Sequence, residues 1–411
     1  MRPRANTRKF ALNKDSERIR RIQTSLEMNH WDALVCSLPM NVLLITGYWP
    51  VVGVSVAIAL PDRTYVIVPE DEEQLAKRGW ADEVITFRPG SLDKITTASK
   101  ALLDPLRSVA KKLPERNCRI GYEHDATTEP ASYAAMHLYQ GDKRQLLHDA
   151  FSSPSLESAD QVLAQLRSLK TPDEIAAIAT ACKLAERAFL NGARQLRAGL
   201  TELEAADLFR APLSIALSDF PELERADGFV WCMSGPNSAL ASGAYARSRT
   251  RRIQTGDLVL IHCNSYVDGR WTDITRTYSV GQPDQRSTAI REAVFEARAA
   301  ALAAIVPGVS AAHVDEAARN VLRARGFGPQ FKHSTGHGVG FSAINANALP
   351  RLHPASPDTI QEGMTFNVEP AVYFDGYGGI RHCDMVAATK TGAQLLTPFA
   401  CRPEELILPG E

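Results

Sequence analysis

The chain has 411 residues, 45% hydrophobic and 23% charged, the make-up of a globular protein long enough to bury more than one core. Its 46 basic and 47 acidic side chains nearly cancel, so no net positive field exists to draw in a polyanion, and nucleic acid is not an expected partner. Seven cysteines, odd in number and without a C-x-x-C pair, argue against a disulfide framework and for a reducing, cytoplasmic setting.

No stretch reaches the ~18 apolar residues that span a bilayer. The longest apolar run, Val51 to Leu60, is interrupted by Gly53 and Ser55, so no membrane partner is expected. The basic start MRPRANTRKF leads into no apolar segment and reads as a solvated tail rather than a targeting peptide. A prior of ~150 residues per domain suggests two or three domains.

In chain order, Ser16 to Asn29 reads as a helix, with Ile19, Ile22 and Leu26 at helical spacing. Short apolar runs follow at Ala33–Cys36, Asn41–Ile45 and Val51–Leu60, then a Pro61-Asp62 turn before Tyr65–Val68. Ile95 to Leu113 reads as a second helix and Arg119–Tyr122 as a strand. This is the rhythm of a small α/β domain. It has no Gly-rich phosphate loop after a strand, so nucleotide binding has no support.

A polar, turn-rich segment, FSSPSLESAD, marks a boundary near residue 160. Residues 1–160 and 161–411 are the expected domains. Thr171-Pro172-Asp173-Glu174 opens a long helix to about Leu196 with a capping box, and Thr201 to Glu204 opens another. Strands dominate from Gly256, apart from helices over Ser287–Ile305 and Ala311–Arg325, the latter ending at Gly326.

The segment GDLVLIHCNSYVDGRWTDITRTY carries the first chemistry. Alternation puts Leu258, Leu260, His262 and Asn264 on one strand face, and Cys263 on the other, in the core. With Val267-Asp268-Gly269 as the turn, Trp271, Asp273 and Thr275 share a face of the return strand. His262 and Asp273 are then opposite or nearly so, within ~5.5 Å at Cβ. Such a pair can share a metal ion or make a cross-strand hydrogen bond.

HSTGHGVGF (His333 to Phe341) holds two histidines among glycines that suit close backbone approach. EGMTFNVEPAVYF (Glu362 to Phe374) reads as a strand with Glu369 amid apolar residues, costly for a carboxylate unless paired or metal-bound. GGIRHCDMV (Gly378 to Val386) is another strand. It sets Arg381, Cys383 and Met385 on one face, and His382, Asp384 and Val386 on the other. Parity leaves open which face looks at Glu369, so His382 and Asp384 are a reserve ligand pair. His353 reads as exposed, and Arg247, Arg249, Arg251 and Arg252 as a solvated loop that can border a cleft.

Taken together, GD-L-V…D-G…TDITRT, H-x-x-x-H-G-x-G, GM-x-F-x-VEP and GGIR with an acid behind it resemble the pita-bread metallohydrolases, the aminopeptidase P, prolidase and creatinase group. The resemblance covers nearly the whole chain. It implies an α/β N-terminal creatinase-like domain and an α+β pita-bread catalytic domain. It also implies a homodimer, and hydrolysis of a peptide or small amide by metal-activated water.

That family holds two divalent ions with two Asp, one His and two Glu. Carried over, Asp273, His337 and Glu369 are kept. The first Asp, eleven positions before Asp273, becomes His262, and the last Glu, two positions after Arg381, becomes Cys383. Two further family histidines are replaced by Ser242 and by Ile344, seven positions after His337, which counts against a creatinase mechanism. The expected metal set is therefore His262, Asp273, His337, Glu369 and Cys383. Glu369, His333 and Arg381 are the expected catalytic groups, and His333, Trp231 and Ser242 the substrate contacts.

His and Cys are competent ligands, so the changes point to a retuned site. Two carboxylates and a Cys383 thiolate satisfy one ion. Two ions would need a further anion. The softer donors favour zinc or iron over manganese. The alternatives are a lyase or amidinohydrolase-like enzyme on a small amino-acid derivative, or a pseudo-peptidase that binds a peptide in the cleft without turnover.

Overall fold

The computed structural model describes residues 14–51, 54–88, 90–113, 118–124, 143–243, 247–344 and 348–410. The start MRPRANTRKF and residues Val52 and Gly53 lie outside these. The described residues divide between Arg167 and Ser168 into two compact units. Among them, no helix is long and apolar enough to cross a membrane. The seven cysteines are free, and Cys401 alone of them is not buried.

The first unit is built on a six-stranded mixed sheet. Its spatial order is Glu83–Phe87, Thr64–Pro69, Val56–Ala59, Ala33–Cys36, Arg119–Tyr122, Ser155–Ser158. The helix Ser16–Asn29 is capped by Asp15, whose side chain accepts from the Arg18 N–H. The apolar run Asn41–Ile45 lies in a helix, Pro39–Thr46, almost all of it buried. Period alone cannot separate a short, wholly apolar helix from a strand. Pro39 in its first turn and Gly47 at φ 70° just past its end decide for helix.

The second unit begins with the helix Pro172–Gln195. Thr171 and Glu174 form the capping box, with Thr171 Oγ1 accepting from the Glu174 N–H at 3.3 Å and Glu174 Oε2 from the Thr171 N–H at 3.0 Å. The helix Glu202–Ile215 opens with the same device at Thr201 and Glu204. Both helices bury Phe189 and Phe209 against the back of a sheet, in a core with Val259, Ile261, Cys263 and Ile274. A second core gathers the helices Gln285–Ala304 and Ala311–Ala324 with Phe366, Val368 and Val386.

The sheet's central strand, Leu258–Val267, lies between Ala226–Ser234 and the return strand Ile274–Val280. Its turn has two residues, Asp268 (φ 44°) and Gly269 (φ 80°), so Val267 faces Arg270. Successive positive φ values define the tight hairpin turn whose twist matches its strands. The three-residue turn expected from sequence is thus corrected, and the residue opposite His262 lies two positions beyond the expected Asp273. His262 faces Thr275, not Asp273. A shift of two preserves parity, so Asp273 keeps its face.

The two segments read as single strands, Glu362–Phe374 and Gly378–Val386, are each broken once. Thr365–Val368 pairs with Asp384–Thr389, and Ala371–Phe374 with Gly378–Arg381, in one continuous register. The gap falls at Glu369-Pro370 on one side and His382-Cys383 on the other. Proline has no N–H to give to the ladder, and Glu369 stands at the interruption it creates.

A buried ion pair fixes this gap. Arg276 Nη2 lies 2.7 Å from Asp384 Oδ1, with both side chains fully buried, and Arg298 holds the other carboxylate oxygen. Burial would raise the Asp384 pKa, but Arg276, His382 and Arg298 keep it well below the usual carboxylate range. Replacing one partner leaves a buried charge undercompensated. Arg276→Met should therefore lower stability by about 3 kcal/mol or more, read as a fall in the urea midpoint.

Candidate metal centre

Asp273 is the hub of the site. It stands just ahead of Ile274–Val280, where the hairpin ladder is interrupted, and is almost wholly buried. Its two oxygens face different partners. On the Oδ1 side are His262 Nδ1 at 3.6 Å and Cys383 Sγ at 3.8 Å. On the Oδ2 side are His337 Nε2 at 3.5 Å and the Asn367 amide at 3.3 Å. Glu369 Oε1 lies 3.9 Å from His337 Nε2. His262, Cys383 and His337 thus border the Asp273 carboxylate, and Glu369 joins the group through His337.

Local structure explains how the loop histidines arrive. His333 to Phe341 contributes no regular strand, only isolated bridges from Gly336 and Gly338. A Cβ on Gly336 would lie 2.0 Å from Asn367 O, and one on Gly338 2.2 Å from Leu349 O. Glycine is required at both positions for the chain to pass. The His337 N–H then donates to Asn367 Oδ1 at 2.7 Å, and its Nδ1 meets Gly338 O at 3.2 Å. With Nδ1–H donating to that carbonyl, the Nε2 lone pair points at the two carboxylates. This is the second-layer orientation that metal-ligating histidines use.

The Oδ2 side has the donor chemistry of a divalent-ion site, with one imidazole nitrogen 3.5 and 3.9 Å from an oxygen of each of two carboxylates. Without an ion, a proton meets the same need. Burial lowers the His337 pKa, but Asp273 and Glu369 outweigh it and pull the imidazole up to about 9. Asp273 is correspondingly lowered: burial acts upward, and His262 and His337 act downward more strongly. Glu369 is raised to about 7, chiefly by burial, with Arg381 opposing and Asp273 assisting.

The Oδ1 side is different. His262 Nδ1 meets Thr275 Oγ1 at 3.1 Å, and Arg381 Nε donates to that same oxygen at 3.1 Å. Burial and then Arg381 lower His262 to about 4. The Cys383 thiol donates to the Asp273 main-chain carbonyl at 3.2 Å, and burial pushes its pKa well up. Without a metal ion, this arrangement favours the neutral thiol over the thiolate.

Of the expected catalytic groups, Arg381 is buried, 3.8 Å from Glu369 Oε2 and bonded through Nη1 to Ala241 O at 3.3 Å. His333 donates from Nδ1 to Ser334 O at 2.7 Å, so its Nε2 accepts from Tyr373 Oη at 3.0 Å. Burial and Arg381 lower it to about 4. Trp231 faces His262 across the adjoining ladder, against a small core that includes Leu260 and Tyr373. Ser242 follows Ala241 in the chain and is exposed, as are Ile344 and His353. Cys263 lies in the core behind the sheet. Arg251 pairs with Asp257, while Arg247 and Arg249 are exposed.

The reserve pair lies on the far side of its strand. Among the described residues, His382, Asp384 and Cys401 are the three metal-competent side chains whose donor atoms all lie within 4.8 Å of one another. Both carboxylate oxygens of Asp384 are already taken by Arg276 and Arg298. Two guanidiniums leave no negative charge there to attract a cation.

Three participants escaped the sequence reading: Asn367, Thr275 in its bridging role, and Tyr373. Asn367 had a usable signal. It shares parity with Glu369, two residues on, so both amide and carboxylate face the same way.

Residues 176–390 match the metallopeptidase family M24, and residues 18–169 match the creatinase/prolidase N-terminal domain. The Xaa-Pro dipeptidase of Pyrococcus furiosus is 28% identical, over 93% of this chain and 97% of its own length. The crystal structure of the prolidase from Pyrococcus horikoshii OT3 superposes with a TM-score of 0.72 at 27% identity, covering 93% of this chain and 98% of that one. The dipeptidase PepE structure from Mycobacterium ulcerans gives 0.72 at 26% identity, over 96% and 98% of the two chains.

A proton held more tightly in the folded than in the unfolded chain adds stability below the unfolded pKa, and that stability is lost as pH passes the folded value. For His337 these limits are 6.5 and about 9. Metal-free protein should therefore lose thermal stability as pH rises from 6.5 to about 9. In His337→Gln that slope should flatten in scanning calorimetry.

Proposed function

Because the chain belongs to metallopeptidase family M24, we propose that it is a metal-dependent hydrolase of Xaa-Pro-type dipeptides or related small amides. The ion would be held by Asp273, His337 and Glu369, while His262 and Cys383 stand where the family resemblance expects two further carboxylates. The observation that carries this reading is the convergence of His337 Nε2 on Asp273 Oδ2 and Glu369 Oε1. A bound divalent ion supplies Lewis-acid polarisation and makes water acidic near neutral pH.

The chain's own groups do the rest. Glu369, raised to about 7 by burial in the metal-free chain, is the carboxylate placed to accept a proton beside the ion. Arg381, fixed by Thr275 and Ala241, supplies permanent positive charge beside it and steadies developing negative charge on a substrate oxygen. His333 is neutral with its hydrogen on Nδ1, so its Nε2 can accept from a substrate N–H or O–H in place of Tyr373. Trp231 offers an apolar wall beside His262. A homodimer is the assembly that accompanies this reading.

The two altered donors favour one competing reading, a cleft that binds a peptide without turning it over. Metal analysis and a dipeptide screen with several divalent metals separate the two. On the enzyme reading, His337→Ala loses its bound metal and lowers kcat/KM by at least ~100-fold. A metal-free wild type that binds peptide unchanged after His337→Ala would decide for the binding module.

A further inference from the structure

The two departures from the expected ligand set are not scattered. Thr275 faces His262 in one ladder and makes an isolated bridge to Cys383 on its other side. His262, Thr275 and Cys383 therefore form one row across three segments. Both replacements fall on the Oδ1 side of Asp273, while every donor on the Oδ2 side is retained.

The row is also closed by its own hydrogen bonds. A guanidinium can only donate, so Arg381 gives its Nε–H to Thr275 Oγ1, and His262 Nδ1 is hydrogen-bonded to that same oxygen in either tautomer. Nδ1 is the ring nitrogen nearest Asp273 Oδ1. The Cys383 thiol, fully buried, is committed to the Asp273 carbonyl. Charge gives the same answer. The Oδ1 side offers two neutral donors and a share of one carboxylate, beside the buried Arg381 guanidinium. A second dication there would meet a fixed positive charge with no anion of its own, which costs far more in a dry interior than in water.

We propose that this chain binds a single divalent ion, between Asp273 Oδ2, His337 and Glu369, and that its second family position is closed by the row His262–Thr275–Cys383 joined to Arg381. The proposal rests on the metal reading above and goes beyond it in number and place. It makes His262 and Cys383 structural neighbours of the ion rather than its ligands.

Metal stoichiometry is the test. The chelator-stripped full chain is dialysed against manganese, cobalt or zinc, and bound metal per chain is measured by mass spectrometry. One equivalent is expected with each metal. Cys383→Ser and His262→Ala should keep that equivalent, and His337→Ala should lose it. The cobalt form of the wild type should lack a thiolate charge-transfer band. The double variant H262D/C383E, its fold checked by circular dichroism, should take up a second equivalent.

Two equivalents in the wild type, one of them lost in Cys383→Ser together with a thiolate band, would overturn the single-ion proposal and leave the metal reading standing. No bound metal in the wild type would overturn both. Wild type and Cys383→Ser decide the matter even where the double variant does not fold.

Discussion

The buried pair Arg276–Asp384 is the constraint on which the site depends. Desolvating two charges is expensive, and the cost is recovered only where the remaining hydrogen-bonding capacity is used. Here it is used. Besides Asp384, Arg276 donates to the main-chain carbonyls of Thr275, Cys383, Thr397 and Phe399. Two of those carbonyls belong to the row on the Oδ1 side of Asp273. One guanidinium therefore holds the strand carrying Thr275 against the interruption carrying Cys383, and the gap in the hairpin is a fixed feature of the fold.

Within that frame, electrostatic balance sets what the site can hold. Two carboxylates, Asp273 and Glu369, face two cations, a protonated His337 and Arg381. The cluster is near neutrality without metal, which is why His337 is drawn upward while Asp273 is drawn downward. A donor set with four carboxylates would demand more positive charge than the chain supplies. On the proposed reading, an imidazole and a thiol in place of two such carboxylates remove that demand on one side of Asp273.

Much of this was legible from residues alone, for definable reasons. Capping boxes are local chemistry, so the helices from Pro172 and Glu202 start where Thr171 and Thr201 say they do. Asp273 and Thr275 have the same parity, so His262 and Asp273 lie on one face although the ladder sets His262 opposite Thr275. Sequence did not reveal the interruption at Glu369-Pro370, because an apolar run shows no sign of a ladder broken on both of its strands at once. Nor could it orient Arg381. That its face, rather than that of His382, looks at Glu369 follows from Arg276 drawing Asp384 the other way. Asn367 carries no charge to mark it in the sequence, although its parity with Glu369 puts both on one face.

Arg381 gives the altered site its chemical character. A metal ion and a guanidinium both stabilise negative charge, but they differ in permanence. The guanidinium is delocalised, stays protonated in water at any ordinary pH, and cannot be withdrawn by a chelator or exchanged for another metal. Its Nε is spent on Thr275 and one Nη on Ala241, so its position is set by the chain and not by the ligand. Where Asp273 Oδ1 faces a hydrogen-bonded row in place of a second cation, the positive charge near it is fixed in the fold.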